Sequence, residues 1–82
     1  MYNVYVLRSL KNKKRYVGYT SKNPEVRLKE HNNGQSAFTS RNCPHKLLYF
    51  ESFEDKKYAI IRERFLKSDQ GRKFLDELGL PM

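Results

Sequence analysis

Hydrophobic positions along the chain cluster in short segments whose spacing changes from strand-like to helix-like. β-Branched and aromatic residues are concentrated at 2–7 and 15–19, and a polar run at 11–14 separates them. This composition predicts two strands joined as a β-hairpin. Residues 45–53 form a third segment of the same kind. Together the segments predict a three-stranded antiparallel sheet.

The turn of the hairpin decides which side chains share a face of the sheet. A turn centred on residues 12 and 13 places Leu7 opposite Gly18. Because side chains alternate along a strand, four of them are then predicted to lie on one face: Tyr5, Leu7, Tyr16 and Gly18.

Helical signals appear in three places after the hairpin. Asn23 is a cap candidate before a proline at the first helical position, which predicts a helix over 24–32. A second helix is predicted over 56–67 from its apolar spacing. Gly71 interrupts that pattern, so a short closing helix is expected over 72–78, covering the sheet.

The predicted elements amount to one small α+β domain over residues 1–82, with a three-stranded antiparallel sheet flanked by helices. Eighty-two residues are enough for one hydrophobic core and too few for two. Any catalytic site must therefore be built directly on that core.

The charge balance indicates a polyanionic partner. Seventeen Lys and Arg against nine Asp and Glu give a net charge of +8, which favours nucleic acid. A basic soluble protein without such a partner, or one that adheres to anionic lipid, fits the composition as well. The basic residues run from Arg8 to Lys73, which predicts a broadly positive folded surface rather than a basic tail.

Cysteine usage and hydropathy bear on location. The single cysteine, Cys43, cannot form an intramolecular disulfide, so the fold does not depend on an oxidising compartment. The apolar opening at 2–7 is too short for a signal peptide, and no segment approaches a membrane span. We expect a cytoplasmic protein with no membrane association.

Glu63 stands out chemically, because it lies four residues after Ala59 and three before Leu66, on a largely apolar side of its helix. A carboxylate there needs a cation beside it. On local grounds an intrahelical pair with Lys67, worth about 0.3–0.5 kcal/mol, is the favoured partner.

Arg27 and His31 are spaced four residues apart and project from the same side of the first helix. Taken alone, both are ordinary solvated polar residues, and Tyr5 and Tyr16 are ordinary sheet-face residues. A planar arginine fork suits a phosphate, and a histidine one turn away would face the same group.

The hairpin also resembles a known family. Asn3-Val4-Tyr5, followed by Tyr16-Val17-Gly18, is similar to the two tripeptides that name the GIY-YIG nucleases. Further similar segments follow in the same order: Tyr19-Thr20, 26–32, Leu47-Leu48-Tyr49, 59–67, Lys67-Ser68 and 71–75. The resemblance covers nearly the whole chain and points to the small stand-alone members.

The resemblance implies the GIY-YIG nuclease fold and a metal-dependent endonuclease that hydrolyses phosphodiester bonds in DNA, with repair or recombination as its setting. By the same resemblance, Glu63 is the sole protein ligand of Mg²⁺ or Mn²⁺, and Arg27 steadies charge on the phosphate. Tyr5 or Tyr16 takes the proton from water, with Tyr5 slightly favoured, and His31 assists. A phenolate would be favoured by the cations around it.

Substrate binding is assigned to two kinds of residue. Gly18 is expected to leave the sheet face bare for the substrate backbone. The phosphate-tracking surface is predicted to consist of Lys29, Arg41, Lys46, Arg62, Arg64, Lys67, Arg72 and Lys73.

The net charge of +8 and one departure from the family pattern keep a second interpretation open. Larger family members carry an asparagine after the position of Glu63, where this chain has Lys67, Ser68 and Asp69. The alternative is a basic module or accessory protein that binds nucleic acid without cutting it. DNA is the expected partner, RNA stays open, and a protein partner is expected to supply target choice.

Overall fold

The computed structural model describes residues 1–33 and 44–79 and confirms an α+β architecture. Its elements are β1 (Tyr2–Ser9), β2 (Arg15–Thr20), α1 (Pro24–Asn32), β3 (His45–Phe53), α2 (Lys56–Lys67) and α3 (Asp69–Glu77). The strands form one antiparallel sheet in the order β2-β1-β3. The bounds of β3, α1 and α2 are those predicted from the sequence.

The register of the hairpin differs from the prediction. Tyr5 pairs with Gly18, and Leu7 pairs with Tyr16 rather than with Gly18. The displacement is two residues, an even number, so the alternation of the pleat is preserved. The four side chains therefore still share one face.

Local hydrogen bonding within the turn explains the register. The Ser9 hydroxyl accepts the backbone N–H groups of Lys11 and Asn12, each at 3.1 Å. These bonds close the turn immediately after Ser9. Lys13 completes it in the left-handed region, with φ of 66°, a conformation that a lysine seldom adopts. The composition of the turn did not reveal this serine cap.

The hydrophobic core lies on the other face of the sheet. β1 is the central strand, and its Val4 and Val6 are completely buried. Both helices after β3 pack against this face, and they complete a cluster with the strands: Val4, Val6, Val17, Ala59, Leu66 and Leu75. Helix α1 packs on the opposite face of the sheet, which carries Tyr5 and Tyr16.

Helix α3 begins three residues before the predicted start. Ser68 caps it, since its hydroxyl accepts the backbone N–H of Gly71 at 3.2 Å. Gly71 lies inside the helix because α2 passes close by. A Cβ at this position would lie 2.0 Å from the carbonyl oxygen of Phe65. Leu78, predicted to cover the sheet, is 46% exposed.

None of the helices in residues 1–33 and 44–79 combines the length and the apolar composition needed to span a bilayer.

Candidate active site

Helix α1 holds two of the predicted catalytic side chains over the tyrosine face of the sheet. Asn23 fixes the start of the helix, because its side chain accepts the backbone N–H of Glu25 at 2.9 Å. From that start, His31 reaches both tyrosine rings, and Arg27 lies one turn before it.

Tyr5, Tyr16 and His31 form an aromatic cluster. The Tyr5 hydroxyl lies 2.9 Å from Nε2 of His31, and both side chains are buried, with exposures of 1% and 0%. The Tyr16 ring centroid is 5.2 Å from that of His31 and 6.4 Å from that of Tyr5. Tyr16 is only half-buried, so it forms the outer member of the cluster.

Burial shifts the pKa values of two members of this cluster, His31 and Tyr5. It lowers the pKa of His31 to about 4, and the positive charge of Arg27 acts in the same direction. Burial also raises the pKa of the Tyr5 hydroxyl to about 12, although a hydrogen bond with Arg27 opposes the rise. At neutral pH the pair is therefore a neutral phenol beside a neutral imidazole. Burial outweighs the effect of Arg27 on the pKa of Tyr5, and a Tyr5 phenolate beside a metal ion stays a prediction.

The buried His31 predicts a pH-dependent stability. The unfolded chain protonates His31 below about pH 6.5 and the folded chain only below about pH 4. The unfolded state thus binds more protons between these values, and the free energy of unfolding falls as the pH is lowered through this window. The shift corresponds to at most about 3 kcal/mol. Urea unfolding of the wild type and His31→Gln should show that the variant loses less stability over this interval.

The other titrating groups are common to the wild type and His31→Gln, so their contributions cancel in the comparison. The pKa of His45 is also lowered by burial, so His31→Gln flattens the profile only in part. Equal losses in the wild type and the variant would show that His31 is protonated freely in the folded protein.

Gly18 serves Tyr5 rather than leaving the sheet bare. The Tyr5 ring lies over the strand at this point, and a Cβ on Gly18 would meet the Tyr5 hydroxyl at 2.7 Å and Cζ at 2.9 Å. The space that we had assigned to the substrate backbone is therefore filled by a side chain of the aromatic cluster. The absent side chain allows Tyr5 to lie flat enough to reach His31.

Arg27 is held from two sides. Its Nη1 lies 3.0 Å from Oε1 of Glu30, and an interaction with the Tyr5 hydroxyl also supports its charge. Burial works against the guanidinium charge, but these two interactions outweigh it and raise the pKa of Arg27. Sequence reasoning missed Glu30, whose i,i+3 spacing from Arg27 on α1 was the available signal.

Glu63 faces inward from α2, as its position between Ala59 and Leu66 predicted. Its side chain is 17% exposed, and Nζ of Lys67 lies 3.5 Å from its Oε2. Its negative charge contributes to the raised pKa of Tyr5, so the carboxylate is within electrostatic reach of the aromatic cluster. No group of three or more metal-ligating side chains occurs among the residues that the structure describes.

The predicted phosphate-tracking residues divide into three groups. The assignment of Arg62 to this surface is wrong. Its guanidinium binds both oxygens of Glu51 at 2.8 and 3.0 Å and lies over two phenylalanine rings. It fastens α2 to β3 instead of facing solvent. Arg41 lies outside the described residues. The remaining side chains are at least partly exposed at the surface: Lys29, Lys46, Arg64, Lys67, Arg72 and Lys73.

Residues 1–75 match the model of the GIY-YIG catalytic domain. The chain belongs to the GIY-YIG family. This family's domain implies nuclease-type activity, with DNA as the implied substrate. The resemblance predicted from the sequence is thus confirmed.

Several curated proteins are similar to this GIY-YIG chain, and three UPF0213 proteins illustrate the similarity. The one from Clostridium perfringens is 46% identical over 65 residues, which cover 78% of this chain and 68% of the relative. That from Haloquadratum walsbyi is 41% identical over 54 residues, 65% and 60% of the two chains. That from Bacillus licheniformis is 45% identical over 53 residues, 63% and 54%.

The matched regions therefore span about half to two thirds of the length of these relatives. No solved structure matches the chain.

Proposed function

We propose that this GIY-YIG chain is a metal-dependent endonuclease that hydrolyses phosphodiester bonds in DNA. The observation that carries the proposal is a neutral phenol–imidazole pair beside a fixed arginine, with a largely buried carboxylate within electrostatic reach of the phenol. A module that only binds DNA needs cations at its surface and has no use for a carboxylate among them. Metal-assisted phosphodiester hydrolysis uses groups of all three kinds: a proton acceptor for water, a cation for the phosphate oxygens and a carboxylate for the metal.

Glu63 fits the requirements of a magnesium ligand. Its carboxylate is mostly buried, and Lys67 at 3.5 Å is its partner among the described residues, a long and exposed contact that neutralises it weakly. Mg²⁺ characteristically accepts one or two carboxylates together with water and phosphate oxygens, so a single glutamate suffices. When bound there, Mg²⁺ or Mn²⁺ would supply Lewis-acid polarisation of the phosphate.

Arg27 is positioned to stabilise the charge that develops on the phosphate. A guanidinium carries five N–H donors in a rigid fork. The contacts with Glu30 and Tyr5 fix the orientation of this fork. Its remaining donors can bind phosphate oxygens without rearrangement. Because the pKa of Arg27 is raised, the group stays charged throughout the reaction.

The structure favours Tyr16 over Tyr5 as the tyrosine that contacts the attacking water. Tyr5 is 1% exposed and its hydroxyl is engaged by both Arg27 and His31. Tyr16 is half-buried and touches the same histidine ring from outside. We assign proton removal from water to Tyr16. As the base, Tyr16 must act from its phenolate form, and the neutral Tyr5–His31 pair orients its ring.

Arg27→Lys is expected to lower the cleavage rate by about 10²–10³-fold, the usual cost of losing one preorganised donor to a developing oxyanion. Lysine keeps the charge and loses the fork. Steady-state cleavage of a labelled duplex measures the effect, and Arg64→Lys on α2 is the matched control. A rate within about twofold of the control would remove Arg27 from the mechanism.

The proposed function is tested by incubating the protein with linear duplex, single-stranded and branched DNA, and with RNA, in Mg²⁺, Mn²⁺ or chelator. We expect nicks in DNA that require the metal. Binding with a steep salt dependence, without nicks in any metal, would instead establish the non-catalytic module that the +8 charge also fits.

A further inference from the structure

Two clefts adjoin along the edge formed by β2. The first, of about 480 Å³, lies between the hairpin turn and α3 and includes Lys13, Lys14 and Arg72 in its lining. The second, of about 380 Å³, includes Tyr16 and Lys67. Both clefts are lined by Arg15 and Arg72, so they are continuous. We call the pair the β2 groove.

The β2 groove is strongly cationic. The described residues that line it contribute one carboxylate, Asp76, and five basic side chains: Lys13, Lys14, Arg15, Lys67 and Arg72. Asp76 is paired with Arg15, whose side chain is only 11% exposed, so this ion pair joins β2 to α3 and forms the base of the groove. The other basic side chains line the groove around this ion pair.

Arg72 is available to a ligand, although it has an acidic neighbour. Its Nη1 lies 3.7 Å from Oδ1 of Asp69, and the two side chains are 71% and 97% exposed. Such a solvated pair contributes little free energy, so a phosphate could replace the carboxylate at low cost. Lys13 and Lys14 are likewise exposed at the hairpin turn.

We propose that the β2 groove holds the sugar–phosphate backbone of the nucleic-acid strand on one side of the bond to be cut. Tyr16 belongs both to the groove and to the aromatic cluster, so the groove leads directly into the candidate active site. This inference rests on the proposed function. It adds Lys13 and Lys14, which the sequence had placed only in a turn.

The dimensions of the groove suit a polymer rather than a single anion. Its basic side chains come from the hairpin turn, from the start of β2 and from the junction of α2 and α3, so they are distributed along both clefts. One strand of duplex DNA carries a phosphate about every 3.4 Å along the helix axis. The distributed charges can therefore engage more than one phosphate of the same strand.

The double variant Lys13→Gly/Arg72→Gln tests the groove without touching the proposed catalytic residues. Glycine suits position 13 because the backbone there has a φ of 66°, so this substitution removes a charge while relieving strain. Lys56→Gln/Lys57→Gln is the matched control. It removes the same charge at the start of α2, about 16 Å along the helix axis from Lys67.

Binding of fluorescent DNA is measured by anisotropy in chelator over a series of salt concentrations. We expect the groove variant to bind several-fold more weakly. Its salt slope should fall by about 0.9 for each duplex phosphate that the protein no longer neutralises, or by about 0.7 for single strands. The control should keep the wild-type slope. Equal weakening in both double variants would mean that diffuse charge holds the DNA, and would overturn the groove.

The kinetics separate this inference from the proposed function. In the presence of metal, the groove variant should raise KM and leave kcat near the wild-type value, because the reacting groups are intact. A protein that binds through the groove and never cuts refutes the nuclease proposal alone. A protein that cuts DNA while the groove variant binds as tightly as the wild type refutes the groove alone.

Discussion

Replacing Glu63 by glutamine is expected to lower the rate of DNA cleavage by at least about a thousandfold, which corresponds to about 4 kcal/mol of transition-state stabilisation. Glutamine has nearly the same shape but lacks the charge that holds a divalent cation. Loss of the ion pair with Lys67, at 3.5 Å, should change the free energy of unfolding only slightly. DNA affinity in chelator should remain at or slightly above that of the wild type, since one negative charge is removed.

The control for this prediction is Glu77→Gln, which makes the same chemical change at an exposed position in the last turn of α3. It should cut DNA like the wild type. Cleavage by Glu63→Gln within about tenfold of that control would mean that another group holds the metal, or that none is required.

Tyr16→Phe is expected to lower kcat by about 10²–10⁴-fold, the range for loss of a positioned general base. The substitution removes the hydroxyl and retains the ring that packs 5.2 Å from His31. KM should change little, because phenylalanine preserves the shape of the groove wall. Single-turnover cleavage at saturating protein reports the chemical step.

Two further tyrosine variants make this result interpretable. Tyr58→Phe, at an exposed position on α2, should have no effect. Tyr5→Phe should lower kcat less than Tyr16→Phe, since Tyr5 acts through His31 and Arg27, and should shift the pH profile by changing the environment of the imidazole. A larger loss in Tyr5→Phe would return the role of base to the buried tyrosine.

Hydrophobic periodicity, together with the capping signals before α1, was sufficient to predict most of the fold. The alternation of side chains in β1 and β2 predicted which of them share a face. This prediction holds although the predicted register was wrong, because the register is displaced by two residues, an even number. The start of α3 was missed because Gly71 was taken as an interruption. The serine cap at Ser68 and the close approach of α2 are tertiary facts that a local pattern does not contain.

The sequence predicted where the side chains of the candidate site lie, but it did not predict their protonation states. The spacing of Arg27 and His31, and the inward face of Glu63, follow from helical geometry. The pKa of Tyr5 depends on how deeply β1 is buried, and burial raised it to about 12 against the expected effect of the cations. Arg62 was misassigned for a similar reason, because its partner Glu51 is brought near it only by the sheet.

A metal site at Glu63 is tested most directly by locating a bound Mn²⁺ through its paramagnetic broadening of the protein's NMR signals, with the wild type and Glu63→Gln compared. We expect a low concentration of Mn²⁺ to broaden the signals of Glu63, Tyr16 and Arg27 first. In the variant, this selective broadening should be absent. Broadening that is unchanged in the variant, or that centres on the exposed acidic residues of α3, would contradict a metal site at Glu63.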